Sequence, residues 1–486
     1  MKKKKNIFIG GGFGESQILW VSRIIKGYSS KPNKIILEKK YNSIIIKDLE
    51  KTFPETKIYI ENNIVKKNNS FYKYTLIFFF IFQNLNKIFY FFKLLKNRKM
   101  NLIVNYENQI INSIWDSSLS LMNDKQLFPN TKQIFISLIK SLYAIKRAED
   151  LTIKNDINVA FLGHSVYEHR ALLAVFRKKK IKIFCQAGYN IYDVSKKESA
   201  WNQINKKTFF FFKKNLDSKM ISNYWNKRMR GKSNYSDANV AGNLKNKIAT
   251  YPKNVIFLHI FKDSPFNYLD KDRIFYDYFE WVIETLKIIE NSNETWSLRI
   301  HPNAHRWGEN QIFIINKILK NFPNLNRKIL IDNAYASNNY IFRNVKRVVT
   351  FSGTSHLEAS CYKIKPIMIS RSTLENIDTK YVLKPKNLNE YKKFLLKDCN
   401  SHIFIQKTHV SNISKILLFI RENVLTLISD LNAINTYRND NKNIKNKEFN
   451  NIQKSLNSQE NYLLELGQNL NKDFTHTFSK KFLKRY

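Results

Sequence analysis

Val348-Val349-Thr350-Phe351-Ser352-Gly353-Thr354-Ser355-His356-Leu357-Glu358-Ala359-Ser360 is the stretch whose reading decides the fold. Its first four residues are β-branched or aromatic and predict a buried strand. Ser352-Gly353-Thr354-Ser355 is small and hydroxylated, which suits a tight strand-to-helix turn and an N-cap. Leu357-Glu358-Ala359 then starts a helix. A helix N-terminus offers unpaired N–H groups and the positive end of a dipole, and so attracts phosphate. Glu358 falls in the first turn. It either reaches a ribose hydroxyl or only complements the dipole. A second stretch, Trp296-Ser297-Leu298-Arg299-Ile300-His301-Pro302-Asn303, reads as a strand ending in His-Pro. The proline stops the strand and leaves the imidazole at its carboxyl end. In open α/β sheets ligands bind at such ends, so two of them about fifty residues apart can face one ligand.

Working outward, strands and helices alternate on both sides of these two ends. Val255-Ile256-Phe257-Leu258-His259 opens this second α/β unit. Its Phe261-Lys262-Asp263-Ser264-Pro265 loop again follows a strand's carboxyl end. A helix over 273–290, the His-Pro strand, a helix over 310–321, a strand over 328–331 and a strand at Ile367-Met368-Ile369 complete it. Such alternation implies a parallel sheet covered on both faces. The chain begins in the same way. A strand over 6–10 runs into Gly10-Gly11-Gly12-Phe13-Gly14 and a helix from Glu15. The spacing is not a clean G-x-G-x-x-G, so Gly11 and Gly12 serve either close backbone packing or the lining of a cleft. Further strands are expected over 34–37, 57–60 and 102–104. Val159 to Ser165, a helix over 167–177, and Ile181 to Tyr189 form a β-α-β unit. It brings His164, Glu168, His169 and Gln186 to one rim. A carboxylate beside histidines suits a general base, and it is equally the start of a capped helix.

Composition narrows the classes. With 486 residues, 43% of them hydrophobic, the chain exceeds one core and can bury two. Its 82 Lys+Arg against 39 Asp+Glu give a formal charge of +43. That excess points to nucleic acid, an acidic membrane leaflet or anionic substrates. Part of it follows from a composition rich in Lys, Asn, Ile, Phe and Tyr, as an AT-biased genome favours. No RNA-binding motif or repeated aromatic platform is present, so nucleic acid is not expected as a partner. Cys185, Cys361 and Cys399 are far apart and odd in number, which fits a reducing compartment rather than a disulfide framework or a zinc site. The apolar segment after the initial lysines is too short for a signal-peptide core, so a cytoplasmic protein is expected. Tyr74 to Phe92 is the most apolar run, and Gln83, Asn84, Asn86 and Lys87 interrupt it short of a membrane span. It is either a helix lying in the membrane interface or a buried helix of the first domain. From about Val410 the chain is helical and then Asn/Lys-rich, which predicts a solvated or partly disordered tail.

Arg299-Ile300-His301-Pro302, then Ser352-Gly353-Thr354-Ser355-His356-Leu357-Glu358-Ala359, then Lys365-Pro366-Ile367 resembles bacterial capsule polysaccharide synthesis proteins. That group includes Kdo transferases and is similar to CMP-sugar-using sialyltransferases. The resemblance covers roughly residues 250 to 375, with a weaker echo in 157 to 195. It implies a GT-B-like α/β fold: two Rossmann-like domains facing a cleft, followed by a helical extension. Residues 1–240 would form the acceptor domain, 250–405 the nucleotide-sugar domain, and 406–486 the extension. It implies a metal-independent glycosyltransferase of surface polysaccharide with no cofactor, working at the inner face of the cell membrane. The partners expected are a nucleotide-sugar donor, CMP-linked and Kdo- or sialic-acid-like, a glycan or glycolipid acceptor, and an anionic membrane surface. His301, Pro302, Ser352, Gly353, Thr354, Ser355 and Glu358 would bind the donor. Glu168 and His164 are the candidate catalytic pair, with Gly11, Gly12, Gln186 and Asp263 lining the cleft. The Asp/Glu-Asp/Glu-Gly motif that supplies the base in some sialyltransferases is not found. The alternatives are a polyol-phosphate transferase of the teichoic-acid type, which also uses a His-Pro strand, and a non-catalytic assembly protein.

Overall fold

A computed structural model describes residues 5–61, 78–96, 106–163, 166–187, 190–195, 204, 206–232, 244, 250–263, 274–325, 327–333, 336–370, 372–424 and 446–470. Two sheets organise them. The first has strands β1 (Asn6–Gly10), β2 (Lys34–Leu37), β3 (Lys57–Ile60), β4 (Val159–Leu162), β5 (Lys182–Ala187) and β6 (Asn190–Asp193), in the order β3-β2-β1-β4-β5-β6. The second has β7 (Asn254–Phe257), β8 (Trp296–Arg299), β9 (Ile329–Asp332), β10 (Arg347–Thr350) and β11 (Ile367–Met368), in the order β11-β10-β7-β8-β9. In both, the first strand lies in the middle, the next two extend to one side and the fourth begins the other side. This is the doubly wound Rossmann order, and two such units make the architecture GT-B-like. The strand expected over 102–104 lies outside the described residues.

The strand sequences explain their places. β1, β4, β7, β8 and β10 are buried along their whole length, as strands covered on both faces must be. β3, at an edge, alternates between exposed and half-buried positions. Every pairing is parallel except the last of the first sheet, where β6 turns back on β5 with Gln186 opposite Ile191. The sequence predicts a strand and a turn over 181–189, and the returning strand β6 is not foreseen.

Cross-contacts hold the two units together. Trp115 Nε1 donates to Asp277 Oδ2 at 3.1 Å, and the other oxygen of Asp277 caps the helix Tyr278–Glu290 by accepting from Glu280 N–H at 2.9 Å. Lys262 Nζ meets Asp124 Oδ1 at 2.6 Å, while Asp124 Oδ2 accepts from Asn310 N–H at 3.0 Å.

The end of the chain differs from expectation. The helix Asn446–Asn469 is no solvated tail. It lies on the helix Glu15–Tyr28 and buries Ile452, Leu456, Leu463, Leu466 and, just beyond it, Leu470 in the core of the first unit. Spacings of four, seven, three and four residues place them on one helical face. Gly27 and Gly467 let the two backbones touch. A side chain on Gly467 would fall on the carbonyl of Ile24, and one on Gly27 on that of Leu464. Gly467→Ala should therefore force the helices apart and cost about 1–3 kcal/mol, the usual range for overpacking, read as a lower thermal midpoint. An unchanged midpoint would show that this crossing does not hold the end of the chain.

Candidate functional site

The second sheet reverses direction between β7 and β10, and ligands bind in such sheets outside the carboxyl ends at that point. β7 delivers His259 there and β10 delivers Ser352. The two meet directly: Ser352 N–H donates to His259 Nε2 at 3.2 Å. His259 also stacks on Tyr278, with ring centroids 4.9 Å apart and planes 10° from parallel. Burial, with His301 as a smaller contribution, pushes its pKa down to about 3. The ring is therefore neutral near pH 7, and since Nε2 accepts, the proton sits on Nδ1. The sequence reading ended a strand at His259 and assigned it no role. The available signal was the one used for His301, a histidine at a strand's carboxyl end.

The Ser-Gly-Thr-Ser turn is formed as expected, leading into the short helix Ser355–Cys361. Thr354 occupies the N-cap but makes no side-chain cap. The hydroxyls of Thr350 and Ser352 are buried with no hydrogen-bond partner among the described residues. Buried polar groups are ordinarily paired, so two unpaired hydroxyls two residues apart mark a place where something else supplies the partner. A side chain added at Gly353 would lie 3.3 Å from Thr350 Oγ1, 3.3 Å from Ser355 Oγ and 3.4 Å from His259 Nε2. The missing side chain thus leaves a gap ringed by three polar atoms. His356, which the sequence reading gave no role, closes the turn from behind. Its Nδ1 lies 2.5 Å from the Gly353 carbonyl, and burial pushes its pKa down to about 4. Neutral, it donates from Nδ1, leaving Nε2 a buried acceptor without a partner among the described residues.

His301 stands at the third strand end. Its N–H donates to Gln311 Oε1 at 2.7 Å, and its Nδ1 accepts from Asn303 N–H at 3.2 Å, which places the ring proton on Nε2. With Pro302, His305, Asn310 and Gln311 it lines a cleft of ≈540 Å³ that Asp124 of the first unit also borders. Glu309 fixes the loop after β7 by accepting from the N–H groups of Phe261 and Lys262 at 3.1 and 3.0 Å. Burial raises its carboxyl pKa despite those bonds.

Glu358 is buried rather than open to solvent. One oxygen pairs with Arg228 and the other accepts from Asn338 Nδ2 at 2.8 Å. Arg228 pairs as well with Glu422, which also accepts from the Tyr224 hydroxyl. One buried cation therefore faces two buried carboxylates. Burial raises the Glu422 carboxyl pKa against the pull of Arg228, and the nearby charge of Glu358 adds to the rise.

On the first sheet, Gly11 and Gly12 have φ of 68° and 89°, values a side chain rarely adopts. Gly11 N–H donates to Glu38 Oε2 at 2.6 Å, and Arg147 holds the other oxygen of Glu38 at 2.9 Å. A side chain on Gly12 would press on His169 Nε2, 3.0 Å away. Glu168 is the first residue of the helix Glu168–Lys178, and Gln186 lies half-buried on β5. Tyr167, with φ of 53°, reaches across to Asp263: its hydroxyl donates to Oδ1 at 3.3 Å. The rim after β4 and the loop after β7 thus meet across the groove between the units. His164 lies outside the described residues.

Glu294, Asp398 and Cys399 are the one metal-sized cluster among the described residues. They gather at the amino end of the second sheet, where Glu294 already holds Arg347 and the Cys399 N–H.

No protein-family model matches the chain, and no curated protein matches it. Among solved structures it is similar to a UDP-GlcNAc 2-epimerase of Methanocaldococcus jannaschii, at 15% identity over 86% of this chain and 100% of that one, with a TM-score of 0.28. It is similar to KpsC, a beta-Kdo 2,7 transferase of Thermosulfurimonas dismutans, at 10% identity over 58% and 86% of the two chains, TM-score 0.30. A glycosyltransferase of Rickettsia africae aligns at 10% identity over 91% and 100%, TM-score 0.28. At these values neither substrates nor residue roles carry over to this chain.

Arg228→Met leaves two buried carboxylates without their cation. It should cost about 3–5 kcal/mol, as breaking a buried pair does, read as a lower urea midpoint. Glu422→Gln should behave oppositely. A carboxyl whose pKa is raised on folding adds stability at low pH and loses it as pH climbs through the folded value. The variant lacks that loss, so its stability relative to wild type should improve between pH 5 and pH 8. A gap that does not change with pH would show that Glu422 stays ionised throughout.

Proposed function

We propose that this protein is a glycosyltransferase that takes a nucleotide-activated sugar, CMP-linked and Kdo- or sialic-acid-like, for capsule or other surface polysaccharide at the membrane face. One observation carries the reading. At the reversal point of the second sheet, two buried hydroxyls without partners among the described residues sit beside a glycine gap and between neutral histidines. A donor phosphate offers acceptor oxygens to such hydroxyls, and to ring N–H groups wherever those point into the cleft. In this reading residues 250–405 hold the donor, with Ser352, Gly353, Thr354 and Ser355 at the phosphates and His301 and Pro302 beside the nucleoside. Residues 1–240 hold the glycan or glycolipid acceptor. Glu358 binds a ribose hydroxyl only through an oxygen it shares with Arg228 or Asn338, so it also anchors the turn. Hydrogen-bond donors aimed at the leaving phosphate stabilise the charge that develops as the glycosidic bond breaks, and no metal is required for that. Glu168 and His164 are the groups from which the acceptor's base is drawn.

A thermal-shift series with CMP, CDP, UDP and GDP tests this, because a ligand that binds only the folded state raises its midpoint. CMP should give the largest shift. Ser352→Ala should melt as the wild type does, since its hydroxyl has no hydrogen-bond partner among the described residues. It should bind CMP about tenfold more weakly, on the scale of 1.4 kcal/mol per decade. A shift with CDP-linked polyols and none with CMP would favour the teichoic-acid type of transfer. No shift with any nucleotide would overturn the reading.

A further inference from the structure

The helical stretch 78–96 carries two apolar faces, and the core uses only one. Ile88, Phe91 and Leu95 are buried against the first unit, and Phe80 packs edge-on to Tyr143 at 5.9 Å. Phe78, Phe79, Phe82 and Phe89 point the other way, 66, 55, 66 and 70% exposed, with Leu85 at 37%. Positions 78, 82, 85 and 89 recur at four, three and four residues, so they form one stripe. Soluble surfaces rarely display so many large rings together. The stripe is too short to span a bilayer, and no helix among the described residues is long and apolar enough to do so.

Charge selects the occupant. Lys87 and Lys93 are exposed beside the rings, and the sequence has no Asp or Glu between Glu61 and Glu107. A second copy of this chain would bring those lysines against its own, with a formal +43 on each side. An anionic bilayer satisfies both features. Aromatic rings settle at the boundary of headgroups and acyl chains, and lysines pair with lipid phosphates. We propose that the Phe78–Phe89 stripe is the face by which this protein docks on an anionic membrane, its rings inserted at the interface and Lys87 and Lys93 against the headgroups. The inference builds on the reading above, which places the enzyme at a membrane, and supplies the surface.

Flotation with phosphatidylcholine vesicles, with and without phosphatidylglycerol, tests it on the full chain. Wild type should float with the anionic vesicles and far less with the neutral ones. The double variant Phe82→Ser, Phe89→Ser should lose binding by about tenfold or more while melting as wild type does, because both rings lie outside the core. Lys87→Glu with Lys93→Glu should remove the preference for anionic lipid. The proposal is overturned if wild type floats with neither vesicle, if the serine variant floats as well as wild type, or if wild type is a dimer that the serine variant dissociates. CMP shifts on the same samples separate the two readings. Vesicle binding as stated without any CMP shift leaves the docking face standing and removes the glycosyltransferase. A CMP shift without vesicle binding does the reverse.

Discussion

One guanidinium holds three segments of this chain together. Arg228 comes from the helix Ser218–Met229, ahead of the crossing to the second sheet. Glu358 comes from the helix behind the Ser-Gly-Thr-Ser turn, and Glu422 from the end of the helical stretch that leaves the second sheet. All three are almost fully buried. Ions in such a place cannot drift to solvent, and each loses its compensation if another moves. The turn at Ser352 is therefore tied to both connections between the units. Any change in how the units sit relative to each other pulls on Glu358, and through it on the helix that begins at the candidate donor site. Tyr224 and Asn338 complete the arrangement by donating to the carboxylates.

What could be read from the sequence was local. Val348 to Ala359 declares strand, turn and helix because each step depends on neighbouring side chains and backbone propensity. His301-Pro302 declares a strand end for the same reason. The doubly wound order follows from alternating elements and the handedness of their crossovers. What was missed depends on distant partners. Glu358 reads as an exposed first-turn carboxylate until Arg228, 130 residues away in sequence, takes it up. The role of His259 exists only because β7 and β10 are neighbours, and the short strand β6 exists only by pairing back onto β5. At the C-terminus, composition misled. Polar richness averaged over fifty residues concealed a helical face of leucines and one glycine whose partner is Gly27.

The aromatic stretch shows why a choice between two readings can fail. A buried helix and an interfacial helix were expected as alternatives, yet the stretch buries one apolar face and exposes another. Period-3.6 spacing separates Ile88, Phe91 and Leu95 from Phe78, Phe82 and Phe89, while a hydropathy average merges them. Helices covered on both sides and helices partnered on one side have similar composition, so the three-dimensional neighbour is the missing information.

The chemistry of the crevice turns on neutrality. His259 and His356 are too buried to carry a charge near pH 7, and the bonds to Ser352 and Gly353 fix which ring nitrogen holds the one hydrogen. A charged imidazole there would need a counterion beside it, and a neutral one does not. The turn is thus held by oriented dipoles whose geometry stays the same across the physiological range. Such groups need not reorganise when negative charge arrives, which is what makes preorganised donors effective at a developing oxyanion. The cations around it are each paired: Arg299 with Asp332, Lys262 with Asp124, and Arg228 with its two carboxylates. The fold thus uses its buried charges to hold the shape of this turn, and leaves neutral hydrogen-bonding groups facing the crevice.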